Sequence, residues 1–250
     1  MKQHLCIENL EFNMNQKSNF CPRLQHVSFS IKEGEHLVLY HPWGLGSSVI
    51  LYLITGLIQP DSGHICIGCD SDTETFHQIS LLTIQGLLFS WRAIYQDFPL
   101  CGNIPSHLVE SPIPKSDEDN LVLIQKLLTT PTGYPSEKQQ ELWLSLLQRA
   151  SIYSNFILLD RPFQHFDKHF AEICLNHLHE NQHATMLIAA SQLSEALLTG
   201  NRILFLGGDP VAIRYEYQLP FTAKEGPASR MVHPEYHKIY EELMEISQSV

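Results

Sequence analysis

Apolar and polar residues alternate through Leu5-Cys6-Ile7-Glu8-Asn9-Leu10-Glu11-Phe12 and again through Val27-Ser28-Phe29-Ser30-Ile31. A period of two marks strands with one face in a core and the other in water. After a turn at residues 32–35 the pattern changes. His36-Leu37-Val38-Leu39-Tyr40 is nearly continuous in apolar character, which predicts a strand covered on both faces. Runs of the same kind return at Phe156–Asp160, Met186–Ala190 and Ile203–Leu206. Between them, residues 48–56 read as a buried helix that Gly56 stops. Leu142, Leu146, Leu147 and Ala150 share one helical face over 137–150. Residues 59–63 form a turn into a strand at 64–67, and the Pro-, Ser- and acid-rich stretch 105–120 reads as an exposed connector. Apolar strands alternating with helices predict an α/β chain built on a largely parallel sheet.

The chain has 250 residues, 44% of them hydrophobic, enough for one large α/β domain or two small ones. The apolar stretches at 49–58 and 81–89 are broken too soon to cross a bilayer. The first twenty residues lack the basic and apolar regions of an export leader. A formal net charge of −11 with only 16 scattered basic residues argues against nucleic acid as a partner. Six cysteines, at 6, 21, 66, 69, 101 and 174, are expected as reduced thiols in a chain of this size. Cys66-Ile67-Gly68-Cys69, just after His64, has metal-like spacing, but a strand running into a Gly turn is the expected reading. No second Cys/His pair lies at a suitable distance. His165/His169 and His177/His179/His183 are expected as ordinary surface or core histidines.

The strand at 36–40 leads into His41-Pro42-Trp43-Gly44-Leu45-Gly46-Ser47-Ser48-Val49, which follows the phosphate-binding pattern G-x-x-x-x-G-K-[ST] without its lysine. In that pattern backbone N–H groups cradle phosphates, Lys neutralises their charge and Ser/Thr holds Mg²⁺. Here His41 stands at the first Gly, Gly46 at the second, Ser47 at the Lys and Ser48 at the metal-binding hydroxyl. The lost charge-assisted contact is worth roughly 1.5–3 kcal/mol. The bulky Trp43 at the loop tip is a further departure.

Four later segments extend the pattern. They are Leu53-Ile-Thr-Gly-Leu-Ile-Gln-Pro-Asp-Ser-Gly63, Ile94-Tyr95-Gln96-Asp97, Phe156-Ile-Leu-Leu-Asp-Arg-Pro-Phe-Gln-His-Phe-Asp167 and Thr185-Met-Leu-Ile-Ala-Ala-Ser-Gln-Leu-Ser-Glu-Ala-Leu197. In this order and spacing they resemble the ATP-binding subunit of ABC transporters along essentially the whole chain. The tail (201–206, 213–220 and 233–243) is similar to the nitrate/sulfonate/taurine-type importer subgroup, although a simple amphipathic terminal helix also explains its last part. The resemblance implies one nucleotide-binding domain over 1–250. Its fold would be a P-loop NTPase-type mostly parallel sheet with an N-terminal antiparallel β layer, an inserted helical subdomain at about 100–150 and a tail from about 220. It implies nucleotide-binding roles for His41, Gly44, Gly46, Ser47, Ser48, Val49, Gln96 and Asp160. Ser48, Gln96 and Asp160 would hold Mg²⁺ if ATP binds, and Asp167 would be the D-loop aspartate.

The departures fall on the chemistry. Arg161 stands where the family has the glutamate that polarises water, and losing a general base typically lowers a rate by about 10²–10⁴. Ser191 replaces the switch histidine, and Met14 lies where an aromatic stacks on adenine, with Phe20 nearby. The signature segment falls at Ser136-Glu137-Lys138-Gln139-Gln140 with both glycines gone. Two readings are open: Arg161 enters the phosphate site and gives weak binding of ATP and Mg²⁺, or the pocket is lost and only the fold is kept. Either way no residue is assigned to catalysis. Family members work as head-to-tail dimers, so the expected partners are a second, intact ATP-binding subunit and a membrane permease. The chain would be the noncatalytic half of a heterodimeric transporter, cytoplasmic and peripheral on the inner face of the cell membrane. Gln96 with Phe98, Pro99 and Leu100 would meet the permease, or those apolar residues pack inside the domain. The alternatives are an ABC-fold scaffold or regulator without a permease, and a weak ATP binder with residual ATPase activity.

Overall fold

A computed structural model describes residues 3–13, 22–42, 45–68, 79–83, 88–90, 136–163, 166, 168–180, 184–222 and 225–250. Met14, Phe20, Trp43, Gly44, Gln96 with residues 97–100, the connector 105–120, His165, Asp167, His183 and three cysteines (21, 69, 101) lie outside these, as does most of the subdomain expected at 100–150.

Among the described residues, seven strands make the larger sheet. Its central strand is β8 (Thr185–Ala190), with β3 (His36–Tyr40) and then β9 (Arg202–Gly207) on one side and β7 (Phe156–Asp160) and then β5 (Ile79–Leu82) on the other. All five run parallel, and two antiparallel edges close the sheet: β10 (Ala212–Gln218) on β9 and β6 (Leu88–Ser90) on β5. The apolar runs of β3, β7 and β8 are buried throughout because both faces of the sheet are covered. Alternate residues of the same strand enter two different cores. Leu37, Leu39, Leu158 and Leu187 pack on one side with helix α1 (Gly46–Ile54). Val38, Tyr40, Ile157, Leu159 and Ile188 pack on the other with α2 (Glu137–Tyr153), α3 (Lys168–Glu180) and α4 (Leu193–Thr199).

A separate antiparallel sheet, in the order β2 (Leu24–Lys32), β1 (Gln3–Phe12), β4 (Ser62–Ile67), forms the expected N-terminal layer. Leu5, Ile7, Leu10, Val27 and Ile31 point from it into the α1 core. Helix α1 is therefore sandwiched, and all nine of its residues are buried. A helix apolar all round needs such a position. The chain starts this helix at Gly46, two residues earlier than its apolar pattern indicates. A Cβ at Gly46 would sit 2.9 Å from Val211 Cγ1 and 3.0 Å from His41 Nδ1, so the backbone is held where only hydrogen fits. The strands β5, β6 and β10 go beyond the strands that the hydrophobic pattern alone indicated.

The tail folds back on the second core. Helix α5 (Pro227–Met231) carries Arg230, whose buried guanidinium donates to the carbonyls of Leu197 (2.9 Å), Gly200 (2.5 Å), Thr222 (2.9 Å) and Glu225 (2.9 Å). Burial lowers its pKa to about 10, with the charge of Glu225 opposing the shift. Helix α6 (Tyr236–Ser249) buries Ile239 and Leu243, and Ser247 meets the hydroxyl of Tyr40 at 3.0 Å. The amphipathic pattern of the tail is thus a packing face.

Candidate functional site

Parallel pairing sets Tyr40 beside Ala190 and Asp160 beside Ala189, so β3, β7 and β8 end together at one rim of the sheet. In open α/β sheets ligands bind in the crevice at this carboxyl end. The loop after β3 returns to the sheet at once, His41 N–H donating to the Ala190 carbonyl at 3.0 Å. The His41 ring then turns toward the helix, where Gly46 N–H donates to its Nδ1 at 3.1 Å. That amide belongs to the first turn of α1, whose donors have no partner inside the helix and suit an anion in phosphate loops. Burial lowers the His41 pKa, which favours the neutral ring that can accept this bond. Ser47, Ser48 and Val49 are all buried just behind it.

Asp160, at the end of β7, is fully buried. Ser48 Oγ donates to its Oδ1 at 2.5 Å, and the hydroxyl of Tyr52 donates to Oδ2. Ser48 and Tyr52 are four residues apart on α1 and so share a face. Burial, followed by the neighbouring Asp160, holds the Tyr52 phenol well above its ordinary pKa. Arg161 completes the cluster. Its N–H donates to the Ala189 carbonyl at 2.9 Å, and its Nε approaches Asp160 Oδ1 at 3.4 Å. The Arg161 backbone has φ +48°, a left-handed conformation that costs a non-glycine residue about 1–2 kcal/mol. The guanidinium is 5% exposed, so the aspartate and its neighbour form a buried, internally compensated pair.

A second carboxyl lies within reach of this charge. Glu195, in the first turn of α4, is buried, and burial raises its pKa to about 8; the Phe163 amide and Arg161 oppose the shift and Asp160 adds to it. Glu195 Oε1 and Arg161 Nη2 are buried without a hydrogen-bond partner among the described residues. Because the folded state keeps a proton that the unfolded chain releases above its ordinary 4.5, stability is expected to fall as pH rises from about 4.5 to about 8, then level off. Glu195→Gln should remove that slope. Urea midpoints measured at several pH values check this, and an unchanged slope in the variant would contradict it.

The structure therefore brings His41, Gly46, Ser47, Ser48, Val49, Asp160 and Arg161 to one rim. Ser191 follows the end of β8 and is half-buried. Gly44 and Gln96 lie outside the described residues. At the start of α2 the exposed Ser136 gives its N–H (2.8 Å) and its hydroxyl (3.1 Å) to Gln139 Oε1, so the segment at 136–140 caps its own helix. Tyr52 and Glu195 were not singled out in the sequence. Their only sequence signals are the four-residue step from Ser48 and the position one turn beyond Ser191. His64 and Cys66 lie exposed on β4, and among the described residues no three His, Cys, Asp or Glu side chains converge on a metal position.

A family model described as ABC transporter matches residues 24–195. The chain belongs to the ABC transporter family. Its relatives include the taurine import ATP-binding protein TauB of Roseobacter denitrificans, 25% identical over 254 aligned residues that cover 96% of this chain and 92% of that protein. The aliphatic sulfonates import ATP-binding protein SsuB of Bacillus subtilis is 28% identical over 198 residues, 75% of this chain and 73% of that one. Among solved structures, a nucleotide-free ATP-binding cassette from an ABC transporter matches with a TM-score of 0.57 at 17% identity, covering 95% of this chain and 98% of that one. A dimeric cassette bound to ADP and phosphate matches with a TM-score of 0.55 at 17% identity, covering 87% and 99%. At that identity the structures show the fold alone: this is an ABC cassette, with the mixed sheet and antiparallel layer that its sequence indicated.

Proposed function

We propose that this ABC cassette is the noncatalytic half of a heterodimeric membrane importer, paired with an intact ATP-binding subunit and docked on a permease at the cytoplasmic face. The observation that carries the reading is the internal compensation of Asp160. Both of its oxygens accept hydrogen bonds from the chain's own hydroxyls, and a guanidinium 3.4 Å away occupies the electrostatic role of a metal ion. A Mg²⁺ ion brought here would meet a fixed positive charge beside a carboxylate that is already neutralised. At the other side of the loop, His41 takes a first-turn amide that a phosphate would need, and Ser47 supplies no charge. The residues as arranged do not fit magnesium-nucleotide. Arg161, turned to Asp160, is committed to a partner other than a phosphate, which favours the reading in which the pocket is lost over weak binding.

The import role and the permease partner rest on relatives named as import ATP-binding proteins. Those names also point to small sulfonate-like anions as the cargo class of the whole system. Among the described residues no helix is long and apolar enough to cross a membrane, so anchoring would fall to the permease. Isolation of the tagged full-length protein from its native membranes, followed by mass spectrometry, tests this. A multi-span permease and an ATP-binding chain with the P-loop lysine and the catalytic glutamate are expected at comparable amounts. Recovery without any permease would overturn the transporter reading and leave the scaffold.

A further inference from the structure

The antiparallel layer holds a pair of thiols on its outer face. Strands β1 and β4 are in register Leu5↔Ile67, Cys6↔Cys66, Ile7↔Ile65 and Glu8↔His64. Leu5 and Ile7 are buried in the α1 core, with Ile65 and Ile67 packed against it. Side chains alternate across a strand, so Cys6, Glu8, His64 and Cys66 share the opposite, outward face. Gly68 N–H donates to the His4 carbonyl at 2.8 Å, which makes residues 4 and 68 a hydrogen-bonded pair. Two steps along the ladder Cys6 and Cys66 are another such pair, with a typical Cα separation of about 5.5 Å. A disulfide usually spans about 4.4–6.8 Å between Cα atoms. Both residues are thiols here; Cys66 is exposed and Cys6 half-buried, its Sγ donating to Glu8 Oε1 at 3.8 Å.

We propose that Cys6 and Cys66 form a reversible cross-strand disulfide, an oxidation site that closes with hydrogen peroxide as the oxidant. The exposed Cys66 thiolate attacks one peroxide oxygen, the O–O bond breaks, and the leaving hydroxide takes up a proton to become water. Cys66 is then a sulfenic acid. Cys6 attacks its sulfur, the S–S bond forms and the S–O bond breaks. The Cys6 proton, passed through Glu8, leaves with that oxygen as a second water. The two thiols lose two electrons and the peroxide gains two. Burial and then the charge of Glu8 raise the Cys6 pKa, which suits Cys6 to the second step rather than the first. The closed ring runs from residue 6 to residue 66 and contains β3, the phosphate-type loop and α1, so it ties the edge strand β4 to the layer that covers that helix. This inference is independent of how the nucleotide site works.

The test is to treat the full-length protein with a small excess of hydrogen peroxide and map its peptides without reduction. A 6–66 cross-linked peptide, 2 Da lighter than its two thiol parts, is expected, with reversal by dithiothreitol. The cross-link should persist in Cys69→Ser and disappear in Cys66→Ser. Oxidised Cys69→Ser protein should melt about 5–10 °C higher than its reduced form, because the ring constrains the unfolded chain. Linkage of Cys66 to Cys69 in the unmutated protein, or overoxidation of Cys66 without any 6–66 peptide, would overturn the proposal. An oxidised protein that carries the bridge but does not shift in melting temperature would remove its effect on the fold.

Discussion

Supplied with magnesium and ATP, the purified protein is expected to release phosphate no faster than the protein-free blank. Three separate losses act on the same turnover. Ser47 leaves the β- and γ-phosphates without a lysine, and Arg161 cannot accept a proton from water. The 136–140 segment lacks the glycines that would let a partner's nucleotide approach. Removing the base alone typically lowers a rate by about 10²–10⁴. Groups that act as a unit do not come back one at a time, so Ser47→Lys, Arg161→Glu and the double variant should all remain at background. The structure adds a reason. In Ser47→Lys the His41 ring still holds the Gly46 amide, and Arg161 still lies against Asp160. Phosphate release by the unmutated protein that disappears in Asp160→Asn would refute the noncatalytic reading. Hydrolysis in Ser47→Lys alone would show that the signature segment and the switch position still work.

Asp160→Asn is expected to destabilise the protein by about 3–5 kcal/mol, the usual consequence of removing one partner from a buried ion pair. For a chain of this size that corresponds to a fall in Tm of about 6–20 °C. The expectation follows from burial: with the aspartate neutralised, the Arg161 side chain is left 5% exposed without the carboxylate it lies against. Ser48 and Tyr52 would also lose the anionic acceptor they share. The double variant Asp160→Asn/Arg161→Leu removes the stranded charge and should recover much of the loss. Chemical denaturation of the three proteins in metal-free buffer decides the matter. A single variant within about 1 kcal/mol of the parent would show that the pair does not compensate Asp160 as described.

Much of the architecture is legible in the sequence. The runs at 36–40, 156–160 and 186–190 are buried strands because a sheet covered on both faces needs no polar residue on either. The alternation at 5–12 and 27–31 became a half-buried antiparallel layer for the opposite reason. The helix after the loop was also legible, and its complete burial follows from the layer that closes over it. What hydropathy did not mark was β5 with its partner β6. Their short segments gain their identity from parallel pairing of Ile79–Leu82 with β7, a contact between residues more than seventy positions apart.

The candidate site was legible as a set of departures, and their consequences were not. Sequence by itself determined which residues stand at the phosphate loop, at the end of β7 and after β8, and that a lysine, a carboxylate and an imidazole are missing there. Only the tertiary structure decided what the replacements touch. For Arg161 the sequence left open entry into the phosphate site or a pocket that is lost with only the fold kept; contact with its neighbouring aspartate was not among these readings. The left-handed turn at Arg161 and the burial of Asp160 bring it to the aspartate. His41 read as a lost glycine, and the fold makes its ring the acceptor for a helix amide. Tyr52 looked like one more apolar position in a buried helix until Asp160 came within reach of its hydroxyl. Pattern along a chain fixes which faces are apolar, since that depends on local periodicity. Which polar groups satisfy one another in the dry interior depends on the register between distant strands and helices, and that exists only once the chain has folded.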